Sequence, residues 1–306
     1  MSLVFLQLAL VVVAGILYRR IPNSLPPQEI RRVISSIVLN VFIPFLTFGV
    51  IATAPLGMDL LTVPLISITT ALLGLGLGWL VYARLLRRHL PAPAAGSLIL
   101  AATWCNAMYM GLPITTSVVG EHISRVPILY DYLGMTPLLF TLGALIGSRF
   151  GTAQVQTSIV RGLTDVFTMP PAITIAAALV VNALDVAIPE WVTSACLSAG
   201  KVVAPLMLFS IGLALRLPSW RSIPILVPSV AIRVIIVPAL VLPLAGYVIH
   251  DADVRLATML ESAMPAMMLT MVFAEKYGLD ESVLAQAILL STLVSALTLP
   301  MLPDLL

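Results

Sequence analysis

Apolar residues run along this 306-residue chain in long blocks, with charged and turn residues gathered in the gaps between them. About twenty apolar residues make a helix that crosses the hydrocarbon of a bilayer. On that measure the pattern predicts ten spans, at 2–18, 33–54, 62–83, 96–118, 126–148, 164–184, 191–215, 223–249, 255–274 and 282–301. Lipid offers no partner to an exposed backbone group, so each span must satisfy its own N–H and C=O groups as a helix. The expected fold class is an all-α polytopic membrane protein.

Composition supports this and removes other classes. The chain is 60% hydrophobic and only 10% charged, with a mean hydropathy of +1.08, whereas soluble domains carry about 25% charged residues. A single soluble domain, a nucleic-acid binder and a disordered chain are excluded. The net charge of +2 matters less than where the basic residues fall. Twelve of the sixteen lie in alternate loops: Arg19, Arg20, Arg31 and Arg32, then Arg84, Arg87 and Arg88, then Arg149 and Arg161, then Arg216 and Arg221, then Lys276. The opposite side has Arg125 and Arg255, while Lys201 and Arg233 fall inside spans. Basic loops stay on the cytoplasmic side, so the expectation is a multi-pass protein of the cell (inner) membrane with both termini outside. The first span resembles a signal peptide, but no charge precedes it, Arg19 and Arg20 follow it, and no A-x-A cleavage site is visible. It reads as an uncleaved first helix. Cys105 and Cys196 both lie in apolar segments, giving neither a disulfide framework nor a zinc set.

A weak repeat is present at an offset of about 160: Val41, Pro44 and Phe48 fall on Val202, Pro205 and Phe209. With five spans per half, the second half enters the membrane upside down relative to the first, a 5+5 inverted repeat of the kind found in secondary transporters. The fourth span contains Asn106, Gly111 and Pro113, and the ninth contains Glu261 and Pro265. Pro265 less the repeat offset lands on Cys105, so the two disturbed helices hold matching places. Asn is polar, Gly loosens the backbone, and Pro removes a donor and clashes with the preceding turn. Broken helices at corresponding positions point to a transporter's binding site, because each restarted half-helix offers free N–H groups and a dipole that favour an anion. The candidate substrate-binding residues are Cys105, Asn106, Ala107, Tyr109, Gly111, Pro113, Pro265 and Ala266.

These motifs resemble the auxin efflux carrier family, within the bile acid/arsenite/riboflavin transporter group. The resemblance rests on L-N-V-F-I-P (39–44), on Asn106, Gly111 and Pro113, and on Tyr130-Asp131 with Gly134. It rests also on A-P-L-x-L-F-x-I-G-L-x-L (204–215), A-E-K-Y-G-L-D (274–280), Ser291-Thr292 and Leu299-Pro300. It implies a bile-acid-symporter-like fold in which broken helices 4 and 9 cross. A scaffold of spans 1, 2, 6 and 7 (1–60 and 160–220) would hold a moving bundle of spans 3–5 and 8–10 (61–159 and 221–306). An elevator motion and a homodimer through the scaffold are further implications. Plant members have proline before the motif's Asn, where this chain has Cys105, and a long loop between spans 5 and 6. Here that loop has about fifteen residues, closer to bacterial relatives associated with small carboxylates.

Ionisable groups at membrane depth are functional candidates by default. Glu261 either binds a coupling proton or cation, or forms a salt bridge with Arg233. Asp131 either supports the same site or is an interfacial helix-start carboxylate. Lys201 either snorkels to the interface or contacts cargo. Gly74 and Gly78 have the spacing of close helix packing. The sequence therefore predicts a secondary transporter of a small organic anion, with no cofactor and with proton or sodium coupling possible. The other classes to weigh are a membrane-embedded enzyme, for which no nucleophile or metal motif is present, and an anion channel. The chain has no P-loop for ATP.

Overall fold

The computed structural model describes residues 2–21, 25–54, 57–153, 158–214 and 222–304. Arg216 and Arg221, counted above among the basic loops, lie outside the described residues. The molecule is all-helical, 83% helix, and the described residues contain no strand.

Each predicted span contains helix. The first is α1 (Ser2–Tyr18). Then come α2 (Pro27–Ile51) and α3 (Asp59–Leu85), α4 (Ala92–Thr103) and α5 (Ala107–Val119), and α6 (Glu121–Phe150). The second half has α7 (Ile159–Phe167) and α8 (Pro170–Ala183), then α9 (Glu190–Gly200) and α10 (Val203–Ala214). It closes with α11 (Ile223–Val248), α12 (Ala252–Ser262), α13 (Thr270–Tyr277) and α14 (Glu281–Thr298). Among the described residues, six helical stretches are long and apolar enough to cross a membrane: α2, α3, α6, the run Glu190–Leu213, α11 and the run Glu281–Pro303. The pair α7 and α8 is a seventh if taken together, bent by 67°. Pro170 and Pro171 open α8 in its first turn, where a missing N–H costs nothing, so they set the bend without breaking a helix.

Small residues decide which helices touch. Gly15 of α1 and Gly212 of α10 face each other so closely that a Cβ on either would overlap the other's backbone. α2 packs against α8, α9 and α10, with Gly49 against Cys196 and Gly200 against Leu46. A second packing group contains α3 to α6 and α11 to α14. There the glycine spacing in α3 has its expected role. A Cβ on Gly74 would stand 2.7 Å from the Ala102 carbonyl oxygen, and one on Gly78 would stand 3.1 Å from the Ala102 Cβ. Gly76, between them, faces open space. Gly134 plays the same part in α6, admitting Ser67, whose hydroxyl donates to the Tyr130 carbonyl at 2.6 Å. α3 is thereby held against the last turn of α4 and the middle of α6.

Candidate functional site at the crossing of two broken helices

Two helices stop in the interior of the second packing group. α4 is built from small and aliphatic residues, and every side chain from Ala94 to Thr103 is buried. Trp104 then turns extended (φ −95°, ψ 127°). Its indole N–H donates to the Met135 carbonyl at 3.1 Å, which holds the ring inside the protein. α12 stops at Ser262, and the chain passes through Ala263–Leu269 before α13 begins. The two interruptions meet. The Asn106 N–H donates to the Pro265 carbonyl at 2.8 Å, and the Met267 N–H donates to the Trp104 carbonyl at 2.8 Å. Cys105 and Ala266 face one another between these bonds as a single antiparallel bridge pair. The Ala266 N–H donates to the Ser291 hydroxyl at 3.1 Å, so α14 braces the second strand of the bridge.

A helix end leaves its last carbonyls without partners, and here two such ends lie buried side by side. One cation answers both. Arg233 of α11, fully buried, donates from Nη1 to the Thr103 carbonyl at 2.8 Å and from Nη2 to the Ser262 carbonyl. The negative ends of two helix dipoles thus share a guanidinium. This replaces the salt bridge to Glu261, one of the two expectations for these residues. Glu261 instead accepts a hydrogen bond from the Thr115 hydroxyl at 2.8 Å, and its second oxygen has no partner among the described residues. Its carboxyl group lies against Gly111, where a Cβ would collide with it. Gly111 has ordinary helical dihedrals (φ −63°), so its role is to make room and not to loosen the backbone. Pro113 likewise lies within α5, downstream of the break that runs from Trp104 to Asn106.

α5 restarts on a wide turn over Ala107–Gly111, in which the Asn106 carbonyl accepts from the N–H groups of both Met110 and Gly111. The amides of Ala107, Met108 and Tyr109 precede that first bond and have no backbone acceptor among the described residues. Beside them is a cavity of about 30 Å³, lined by Asn106, Met108, Tyr109, Asp131, Tyr132 and Thr136 on one side. Met267 and Leu269 of the second interruption complete that side, and Leu39 and Met169 face them from the other packing group. Such a volume has room for about two water molecules, so in this conformation the site is too small for an organic anion. No basic side chain among the described residues lines it. Asp131 reaches it with one carboxylate oxygen held by the Thr136 hydroxyl at 3.1 Å and the other without a partner among the described residues.

A family described as membrane transport protein matches the chain over residues 2–162 and 157–303. The chain belongs to this family, the auxin efflux carriers. It is 28% identical over 280 residues to an uncharacterized transporter of Methanothermobacter thermautotrophicus, a match covering 90% of this chain and 88% of that protein. It is 25% identical over 283 residues to an uncharacterized transporter of Methanocaldococcus jannaschii, covering 89% and 88%. These names, together with the apolar helices, indicate a multi-pass membrane transporter, a class that is generally not enzymatic.

In this auxin efflux carrier family member the candidate residues separate into layers. Asn106, Tyr109 and Asp131 line the cavity. Cys105, Ala266 and Pro265 form the bridge beside it, and Ala107 begins the restarted helix. Gly111 and Glu261 touch each other away from the cavity lining, and Arg233 binds the two half-helices that end at the bridge. Lys201 is exposed in the turn between α9 and α10 and does not line the cavity. Tyr132, Thr136, Thr115, Leu39 and Met169 were not anticipated. Thr115 follows Gly111 by four residues and so shares its helix face. Thr136 is five residues from Asp131 and reaches it because that stretch is a wide π turn.

Proposed function

We propose that this protein is a secondary transporter of a small organic anion, most simply a carboxylate, bound where the fourth and ninth spans cross. The observation that carries the reading is the bridge itself. Two buried interruptions from different halves of the chain are tied by reciprocal backbone bonds, next to unengaged amides and a small polar cavity. Amides at a restarted helix hold a carboxylate without a buried basic side chain. In this reading the ten helical segments form a 5+5 inverted repeat with both termini outside the inner membrane. Spans 1, 2, 6 and 7 are the scaffold, and a homodimer forms through it. The cavity between Leu39 and Met169 on one side and the crossing on the other is too small for such cargo, so in this reading cargo enters when the two groups slide apart in an elevator motion.

Asp131 gives the reading a condition. Its unpartnered oxygen faces the space that the anion would take, with Tyr109, Tyr132, Cys105 and Glu261 as the titratable groups around it. Two anions do not share such a site, so the anion binds together with a proton or a cation on Asp131.

The deciding measurement is a thermal-shift screen of small carboxylates at several pH values, with and without sodium, followed by counterflow in proteoliposomes. A ligand of the folded state raises its stability. The expected result is stabilisation by at least one carboxylate that strengthens as pH falls or as sodium is added, with that dependence absent in Asp131→Asn. Saturable counterflow separates a carrier from a channel. Asn106→Ala and Pro265→Ala each reduce binding or flux while the folded fraction stays near that of the wild type. Wild-type flux in both variants overturns the site.

A further inference from the structure

A second cavity contains none of the residues of the crossing. It occupies about 370 Å³ where α3 and α6 both end, and Arg84, Arg87 and Arg149 line it together with Trp79, Tyr82 and Phe150. The three arginines are exposed and have no acidic partner among the described residues. Arg149 lies over the Phe150 ring at 5.9 Å, and Phe150 meets Trp79 edge to face at 5.4 Å. Trp79 and Arg149 also line a neighbouring groove of about 650 Å³ that is otherwise almost wholly apolar. Leu75 and Gly76 of α3 form one wall, and Leu142, Leu145 and Ile146 of α6 form the other. From Leu142 to Arg149 the groove follows α6 for about 10 Å.

A soluble anion uses the arginines and leaves the groove empty. A neutral hydrocarbon uses the groove and leaves three positive charges uncompensated. Only an amphiphile with an anionic head fills both, and the arrangement matches the membrane, with basic residues on the arginine-rich loop side and apolar walls running into the hydrocarbon. We infer that this joined cavity binds an anionic phospholipid, its phosphate among Arg84, Arg87 and Arg149 and an acyl chain along the groove past Trp79. Arginine suits the head because its planar fork pairs with phosphate oxygens. Trp79 marks the level of the interface, where indole rings collect. A zwitterionic lipid brings an ammonium group into the same three-arginine field and is disfavoured.

The test is native mass spectrometry of the purified full chain in detergent, titrated with phosphatidylglycerol, phosphatidylcholine or inorganic phosphate. Phosphatidylglycerol is expected to bind at least about tenfold more tightly than phosphatidylcholine, because each arginine near a membrane surface favours an anionic headgroup. The triple variant Arg84→Gln, Arg87→Gln, Arg149→Gln should remove that preference. Gly76→Leu fills the groove where a Cβ meets nothing within 4 Å, so it should fold normally and still weaken phosphatidylglycerol binding. Equal binding of the two lipids, a preference that survives the triple variant, or full displacement by inorganic phosphate at matched concentration would each overturn the lipid assignment. If the triple variant does not fold, Gly76→Leu and the phosphate competition decide, and neither readout depends on transport.

Discussion

The two interruptions that meet at Cys105 and Ala266 are held open in different ways. The second is long, seven residues from Ala263 to Leu269, and satisfies much of itself locally. The Ala263 N–H donates to the Met259 and Leu260 carbonyls, the Met264 N–H to Glu261, and the Thr270 hydroxyl to Met267. The first is short, three residues from Trp104 to Asn106, and contains no proline. It is pinned from outside, by the Trp104 indole on Met135 and by the bridge to the other interruption. Proline therefore explains only one of the two breaks. The other exists because long-range partners make an extended backbone better satisfied than a continued helix would be.

That contrast can be broken at several points. The largest effect is expected from Arg233→Met, which strips both half-helix ends at once. Each lost bond to a charged donor is worth about 1.5–3 kcal/mol, so the melting temperature in detergent, followed by tryptophan fluorescence, should fall steeply. A variant that melts like the wild type would show that the two ends need no shared cap. Next comes Gly111→Ala, where the new methyl collides with the Glu261 carboxyl group and overpacking costs about 1–3 kcal/mol. The double variant Gly111→Ala, Glu261→Ala should recover part of that loss, since neighbours in contact do not add; additive losses would deny the contact. Ser291→Ala tests the second interruption alone. It leaves the Ala266 N–H without its acceptor and should cost about 1–2 kcal/mol, with hydrogen exchange at Ala266 rising sharply and exchange at Trp104 changing less. Equal loosening at both would mean that the bridge opens as one unit. The smallest effect belongs to Pro113→Ala, because Pro113 lies inside α5 and not at the break. The smallest stability change of the four, with counterflow retained, would separate it from Pro265→Ala; loss of flux equal to that of Pro265→Ala would contradict the placement.

The sequence by itself determined that the chain is helical and membrane-embedded, roughly where its ten apolar segments lie, and that the fourth and ninth are disturbed. Those properties follow from local free energy, because twenty apolar residues with a self-satisfied backbone prefer lipid wherever they occur. It also brought Asn106, Tyr109 and Asp131 forward as candidates, and all three line one cavity. Tertiary structure decided the rest. It set Ala266 opposite Cys105, brought Arg233 to the Thr103 carbonyl from 130 residues away, and turned Glu261 to Thr115 instead of Arg233. The reason is that a broken helix advertises its unpaired groups in sequence, through Asn, Gly or Pro, but not the partners that answer them. Those partners are chosen by which helices can come close, and here small residues such as Gly74, Gly78 and Gly134 set that by leaving room for a neighbour's backbone or side chain.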